Sequence, residues 1–154
     1  MKIISSIILF CLSISTIAQI KTVSVSDLKL SKVADFEYKQ LINLDSKDTT
    51  KVVYISWRNK EYSHIVDISS ILFNLDKDPE LLKRFVDDLK SANKHIEKGE
   101  ELSWIRKEYV ITLPLDENNK YVWLYEPKSE GGGYTSFNKK EIEKTIAWFE
   151  QNGF

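Results

Sequence analysis

One cysteine, one methionine, two histidines and three prolines among 154 residues close off several chemistries before any motif is sought. The cysteine is Cys11, inside an amino-terminal apolar stretch, so residues 19–154 carry no thiol. They can form no disulfide, no thiolate nucleophile and no cysteine metal site. His64 and His95 stand without an HExxH or comparable spacing, so no zinc site is legible and no metal is assigned. Of the five glycines, three are consecutive, and neither the Walker-type phosphate loop nor GxGxxG occurs. The nucleophile elbow GxSxG is absent as well. Asp76 and Asp78, and the run from Asp116 to Asn119, lack the glycine and the twelfth-position acid of a calcium loop. No catalytic residue and no cofactor is assigned.

Charge is equally uninformative about a polyanionic partner. Twenty-two basic and 23 acidic side chains leave a net charge of −1, with both signs interspersed. That pattern excludes the basic stripe of a nucleic-acid binder. Beyond residue 18, no apolar run has the length of a membrane span.

Residues 1–18, MKIISSIILFCLSISTIA, read as a secretory signal peptide. Lys2 supplies the positive start, Ile3 to Ile17 the apolar run, and Thr16 and Ala18 the small residues before cleavage at Gln19. The alternative, a membrane anchor, asks for a longer run and a basic cluster directly after it. Phe10 precedes Cys11 where a lipoprotein needs a small residue. The expectation is a secreted or periplasmic protein, not integral to the membrane after cleavage. Residues 19–154 then form one α+β domain, a length that supports one core and hardly two.

The 51–73 stretch, KVVYISWRNKEYSHIVDISSILF, reads as a hairpin with a two-residue turn at Asn59-Lys60. The register that follows sets Arg58 opposite Glu61, Trp57 opposite Tyr62, Ile55 opposite His64 and Val53 opposite Val66. Val53, Ile55 and Trp57 share the apolar face. His64 joins them there and reads as a core histidine held by a hydrogen bond; Asp67 points to the other face, away from it. His95 reads as a surface residue near a helix end.

The rest of the chain supplies a first strand within 19–31, a second at 35–43, and a helix that Asp78 caps and Pro79 begins. Leu82, Phe85, Val86, Leu89 and Ala92 recur at helical spacing up to a stop at Gly99. A strand is predicted from Trp104 to Leu113, ended by Pro114, and another from Tyr121 to Tyr125. A glycine-bearing loop spans 128–135. The last helix follows Asn138, whose capping box pairs it with Glu141, and Gly153 ends it. The sum is an α+β fold: a mainly antiparallel sheet of about five strands with two helices packed on one face. No internal repeat is visible.

The aromatic residues, 12% of the chain, are the most informative class. Tyr121, Trp123 and Tyr125 share one face of a strand, and Val122 and Leu124 the other. If the helices cover the aliphatic pair, the Tyr-Trp-Tyr row lies on an open face. If they cover the aromatic row, it is core, and the core reading ranks first for such a row. The surface reading defines the candidate ligand-binding site: Tyr121, Trp123, Tyr125, Gly131, Gly132, Gly133 and Tyr134. A flexible turn is the plainer reading of the glycines; close approach of a ligand is the sharper one.

Three functions follow in order. The first is a non-enzymatic exported module that binds a small ligand, a glycan or a protein. The second is a small secreted hydrolase-like enzyme using His64 with a carboxylate. The third is a structural homodimer associating through the sheet.

Overall fold

The computed structural model describes residues 19–30, 33–58, 68–96, 98, 100–114, 120–127 and 133–154. Four strands come first: β1 (Ile20–Leu30), β2 (Ala34–Asn43), β3 (Thr49–Arg58) and β4 (Ile68–Asn74). Helix α1 (Pro79–His95) follows. The pattern is then repeated with β5 (Leu102–Ile105), β6 (Val110–Leu113), β7 (Tyr121–Tyr125), β8 (Tyr134–Asn138) and α2 (Lys139–Gln151). Each set of four strands is a separate antiparallel sheet in chain order. The α+β class holds, but the expected sheet of about five strands is two sheets of four. The element order repeats although no sequence repeat betrays it, because burial pattern and turn positions define a meander and residue identity does not.

Two differences account for the extra strands. The predicted strand from Trp104 to Leu113 is a short hairpin: Leu102 pairs with Leu113 and Ile105 with Val110. Its tight connection is closed by Arg106 N–H donating to the Tyr109 carbonyl at 2.8 Å. Tyr134 and Thr135, expected as the end of a loop, open a strand that runs to Asn138 and pairs along β7 from Tyr121–Asn138 to Tyr125–Tyr134.

The hairpin register also differs. Ile55 pairs with Ile71, Val53 with Phe73 and Arg58 with Ile68, where the expected partners were His64, Val66 and Glu61. The proposed turn at Asn59-Lys60, and His64 itself, lie outside the described residues. The face assignment of β3 nevertheless stands: Val53, Ile55 and Trp57 are buried. Ile71 and Phe73 offer β3 aliphatic and aromatic partners on that face, more apolar than the expected His64 and Val66.

The helices form where local signals place them. Asp78 accepts the Leu81 N–H at 3.1 Å with Pro79 at the first helical position. Asn138 accepts from Glu141 N–H at 3.0 Å while Glu141 Oε2 accepts from Asn138 N–H at 2.8 Å, a complete capping box. Gly153, at φ +83°, ends α2 in the left-handed region that a glycine enters without steric penalty. α1 ends at His95, earlier than the expected stop; Gly99 is outside the described residues.

Both helices pack against each other and against both sheets: α1 on β4 and β6, α2 on β8 and β1. One continuous core results. Phe36 of β2 sits at its centre, with Phe137, Trp148 and Phe149 rings at 6.1, 6.0 and 6.0 Å. Thr135 Oγ1, fully buried on β8, donates to the Val33 carbonyl just before β2 at 2.8 Å and ties the two sheets. Among the described residues, no helix is long and apolar enough to cross a membrane.

Candidate functional site

Alternation along β7 sends Val122 and Leu124 into the core, both with no exposed surface. Tyr121, Trp123 and Tyr125 therefore point away from the helices, and Tyr121 is 42% exposed. The reading of this row as core is overturned. Burying Val122 and Leu124 leaves no polar side-chain atom to satisfy, although the same core takes Trp57 and Trp148 with their indole Nε1 unpartnered among the described residues. The helix layer accordingly rests on the aliphatic side.

The register brings further outward residues to the row. Tyr125 pairs with Tyr134, and Trp123 with Ser136 on one side and Thr112 on the other. Val110 pairs with Tyr125, and β5 contributes Ser103 opposite Thr112 and Ile105 opposite Val110. Three rings cluster. Trp123 stacks on Tyr134 with centroids 5.1 Å apart and planes 13° apart. Tyr125 lies 6.0 Å from Trp123 and 5.6 Å from Tyr134, tilted to both. Partial burial, and then the neighbouring Tyr134, raise the Tyr125 phenol above its ordinary pKa.

Beside the rings runs a groove of about 420 Å³, lined by Ser103, Ile105, Val110, Thr112, Tyr125 and the Glu126-Pro127 step. Ile105 is 73% exposed at its edge. Ser103 Oγ and Thr112 Oγ1 lie 3.2 Å apart and share one proton between them as donor and acceptor. Glu126 N–H donates to the Gly133 carbonyl at 3.2 Å, which draws the ends of β7 and β8 together.

The structure thus brings Tyr121, Trp123, Tyr125 and Tyr134 onto one surface. Gly133 is buried next to them, and Gly131 and Gly132 lie outside the described residues. Ser103, Val110, Thr112 and Ser136 were missed, since their membership depends on strand pairing. Their sequence signal was the alternation of Val110 and Thr112 with buried Ile111 and Leu113.

The outward positions of β5 to β8 carry no Asp, Glu, Lys or Arg. The outward face of the first sheet differs: Asp27, Lys29, Asp35, Glu37, Lys39 and Arg58 all lie on it. In a chain with 29% charged residues, the second sheet's bare face is a selective feature.

A second polar constellation lies in the core. Asp88, 7% exposed, accepts from Arg106 Nε and Nη2, each at 3.0 Å, and from the Tyr109 hydroxyl at 2.9 Å. Tyr109 is fully buried. Every described partner of this carboxylate is a donor held in place by its own element, which makes the triad a brace between α1 and the β5–β6 turn. No nucleophile adjoins it among the contacts described. Sequence reading missed Asp88, although it falls three residues from Phe85 and four from Ala92 on the apolar stripe.

A wider groove of about 500 Å³ runs between α1 and Phe154, floored by Leu82 and Val86 and rimmed by Glu80, Lys83, Asp87 and Lys90. Lys90 is engaged with Glu150 of α2 at 2.8 Å. Rim charges of both signs alternate, so the groove presents no convergent set. His95 Nδ1 lies 2.8 Å from the Ser91 carbonyl and its Nε2 3.8 Å from Glu100, a helix-end role. Among the described residues, no three His, Cys, Asp or Glu side chains gather as a metal site.

No protein-family model matches the chain, and no curated protein and no solved structure matches it either.

Proposed function

We propose that this protein is an exported, non-enzymatic binding module whose ligand rests on the outward face of β5 to β8. The stack of Trp123 on Tyr134 carries the reading. Rings so placed have already given up rotamer freedom to one another and to the strands, so a ligand need not order them. They offer rigid apolar area with polar tips, and the adjoining groove supplies hydroxyl groups. Export rests on the character of residues 1–18, and amino-terminal sequencing of the secreted product should begin at Gln19.

The binding reading is tested with Trp123→Ala. A panel of peptides and oligosaccharides is titrated into wild type and variant, following the indole N–H resonances. The expected result is a ligand that moves the Trp123 resonance in wild type and does not bind the variant, with the melting temperature lowered by no more than about 4 °C. A ligand that binds both proteins equally would remove the site from this face. The homodimer reading calls on the same face, and the area of that face weighs against it, as argued below.

A further inference from the structure

Resting on the binding reading above, we infer that the ligand of this face is a neutral glycan, a short run of uncharged sugar rings. Three observations lead there.

The first is charge. A partner bearing carboxylates, sulfates or ammonium groups would be matched by opposite charges, which supply both pairing and steering. The outward positions of β5 to β8 supply none, while those of the other sheet are well charged. Glu126 is the one ionisable carboxylate lining the groove, at its end. A surface of rings and hydroxyls, bare of formal charge over four strands, fits a neutral polyol.

The second is area. Four strands about 4.8 Å apart, two of four residues and two of five at about 3.3 Å each, give a footprint of about 300 Å² in projection. A stable protein–protein interface needs about 800 Å² from each partner. A second copy of this chain or another folded protein would have to reach beyond the rings and hydroxyl groups of this face. Its length of about 16 Å, by the same spacing, suits a short oligosaccharide.

The third is the kind of polar group on offer. In this sheet β7 is paired on both sides, so its backbone N–H and C=O groups are engaged in the ladder. A peptide lying on the face would find no backbone partners there; peptides that use sheets add at an edge. Sugar hydroxyls instead meet the hydroxyl groups of Ser103, Thr112 and the tyrosines. The carbon-bound hydrogens of a sugar ring meet the Trp123, Tyr125 and Tyr134 rings.

The test uses ¹⁵N-labelled protein expressed from the full chain. Four neutral probes are titrated separately: cellohexaose, maltohexaose, laminarihexaose and chitohexaose. A uronic-acid hexamer and a set of apolar decapeptides serve as competitors of other chemistry. The expected result is saturable movement of the Trp123 indole N–H by at least one neutral hexamer. Trp123→Ala should weaken that binding at least tenfold, and raising salt from 0.05 to 0.5 M should leave it unchanged. Tyr134→Phe retains the ring and should keep most of the affinity, whereas Tyr134→Ala should not.

If an apolar peptide binds in a Trp123-dependent way and no neutral hexamer does, the glycan assignment fails and the binding module stands. If the uronic-acid hexamer alone binds and salt abolishes it, the neutral class is wrong. If no probe moves Trp123, and sedimentation shows a dimer that Trp123→Ala dissociates, both the glycan and the area argument are overturned.

Discussion

The Tyr109 hydroxyl donates to Asp88 Oδ2 at 2.9 Å across a separation of 21 residues. That bond joins the middle of α1 to the turn between β5 and β6, and Arg106 completes it from the same turn. It holds the edge of the second sheet, where the candidate groove begins, against the helix layer.

Removing the Tyr109 hydroxyl tests this brace. Tyr109→Phe keeps the ring contacts, 4.9 Å to Phe85 and 6.3 Å to Phe73, and deletes one hydrogen bond to a buried carboxylate. The expected loss is about 1.5 kcal/mol in urea unfolding. The pH dependence has a definite sign. Burial first, then the hydrogen bond to Asp88 and its negative charge, hold the Tyr109 phenol above its ordinary pKa, with Arg106 opposing. Above about pH 10 an unfolded tyrosine loses its proton while the folded one keeps it. The folded state then binds more protons, so this contribution is complete below about pH 10 and stability falls as pH rises further. Tyr125 is shifted in the same direction. Unfolding at a series of alkaline pH values should give a shallower decline in Tyr109→Phe, and shallower again with Tyr125→Phe added.

Neighbours on β7 should behave oppositely. Leu124 has no exposed surface, and Leu124→Ala should cost about 3 kcal/mol through lost burial and a cavity. Trp123, half-buried on the outward face, contributes ring contacts, and Trp123→Ala should cost about 1 kcal/mol. Equal losses in the two variants would contradict the sidedness of this strand.

Thr135→Val probes the joint between the sheets. The substitution keeps the shape and removes the only hydroxyl bonded to the Val33 carbonyl among the described contacts. Leaving that part-buried carbonyl without its donor should cost about 1 kcal/mol, read from chemical denaturation.

Asn138→Ala removes the side chain that accepts the Glu141 N–H at the start of α2. A loss of about 1 kcal/mol is expected, and Asn138→Asp should recover most of it. The melting temperatures of the three proteins check the order.

Capping was legible because it is local. Asp78 with Pro79, and Asn138 with Glu141, place each signal within four residues of the N–H it satisfies. The strand faces were legible for the same reason: Val53, Ile55 and Trp57 alternate with polar neighbours. Pairing was not. The partner of Ile55 is Ile71, and the intervening residues hold apolar side chains at spacings that suit an earlier pairing equally well. Asp88 was hidden because its charge looked like helix surface until Arg106 and Tyr109, 18 and 21 residues later, came to meet it.

The amino-acid sequence by itself determined that Tyr121, Trp123 and Tyr125 stand together. A strand repeats every two residues, so they share a face wherever the strand goes. It did not determine which face that is, since either side of YVWLY is apolar enough to bury. The tertiary structure decided it: α1 and α2 form one layer shared by both sheets, and a sheet has only one side turned towards that layer. Val122 and Leu124 take that side because burying them leaves no polar atom without a partner. Tyr121, Trp123 and Tyr125 take the other side, Tyr121 exposed and the other two half-buried.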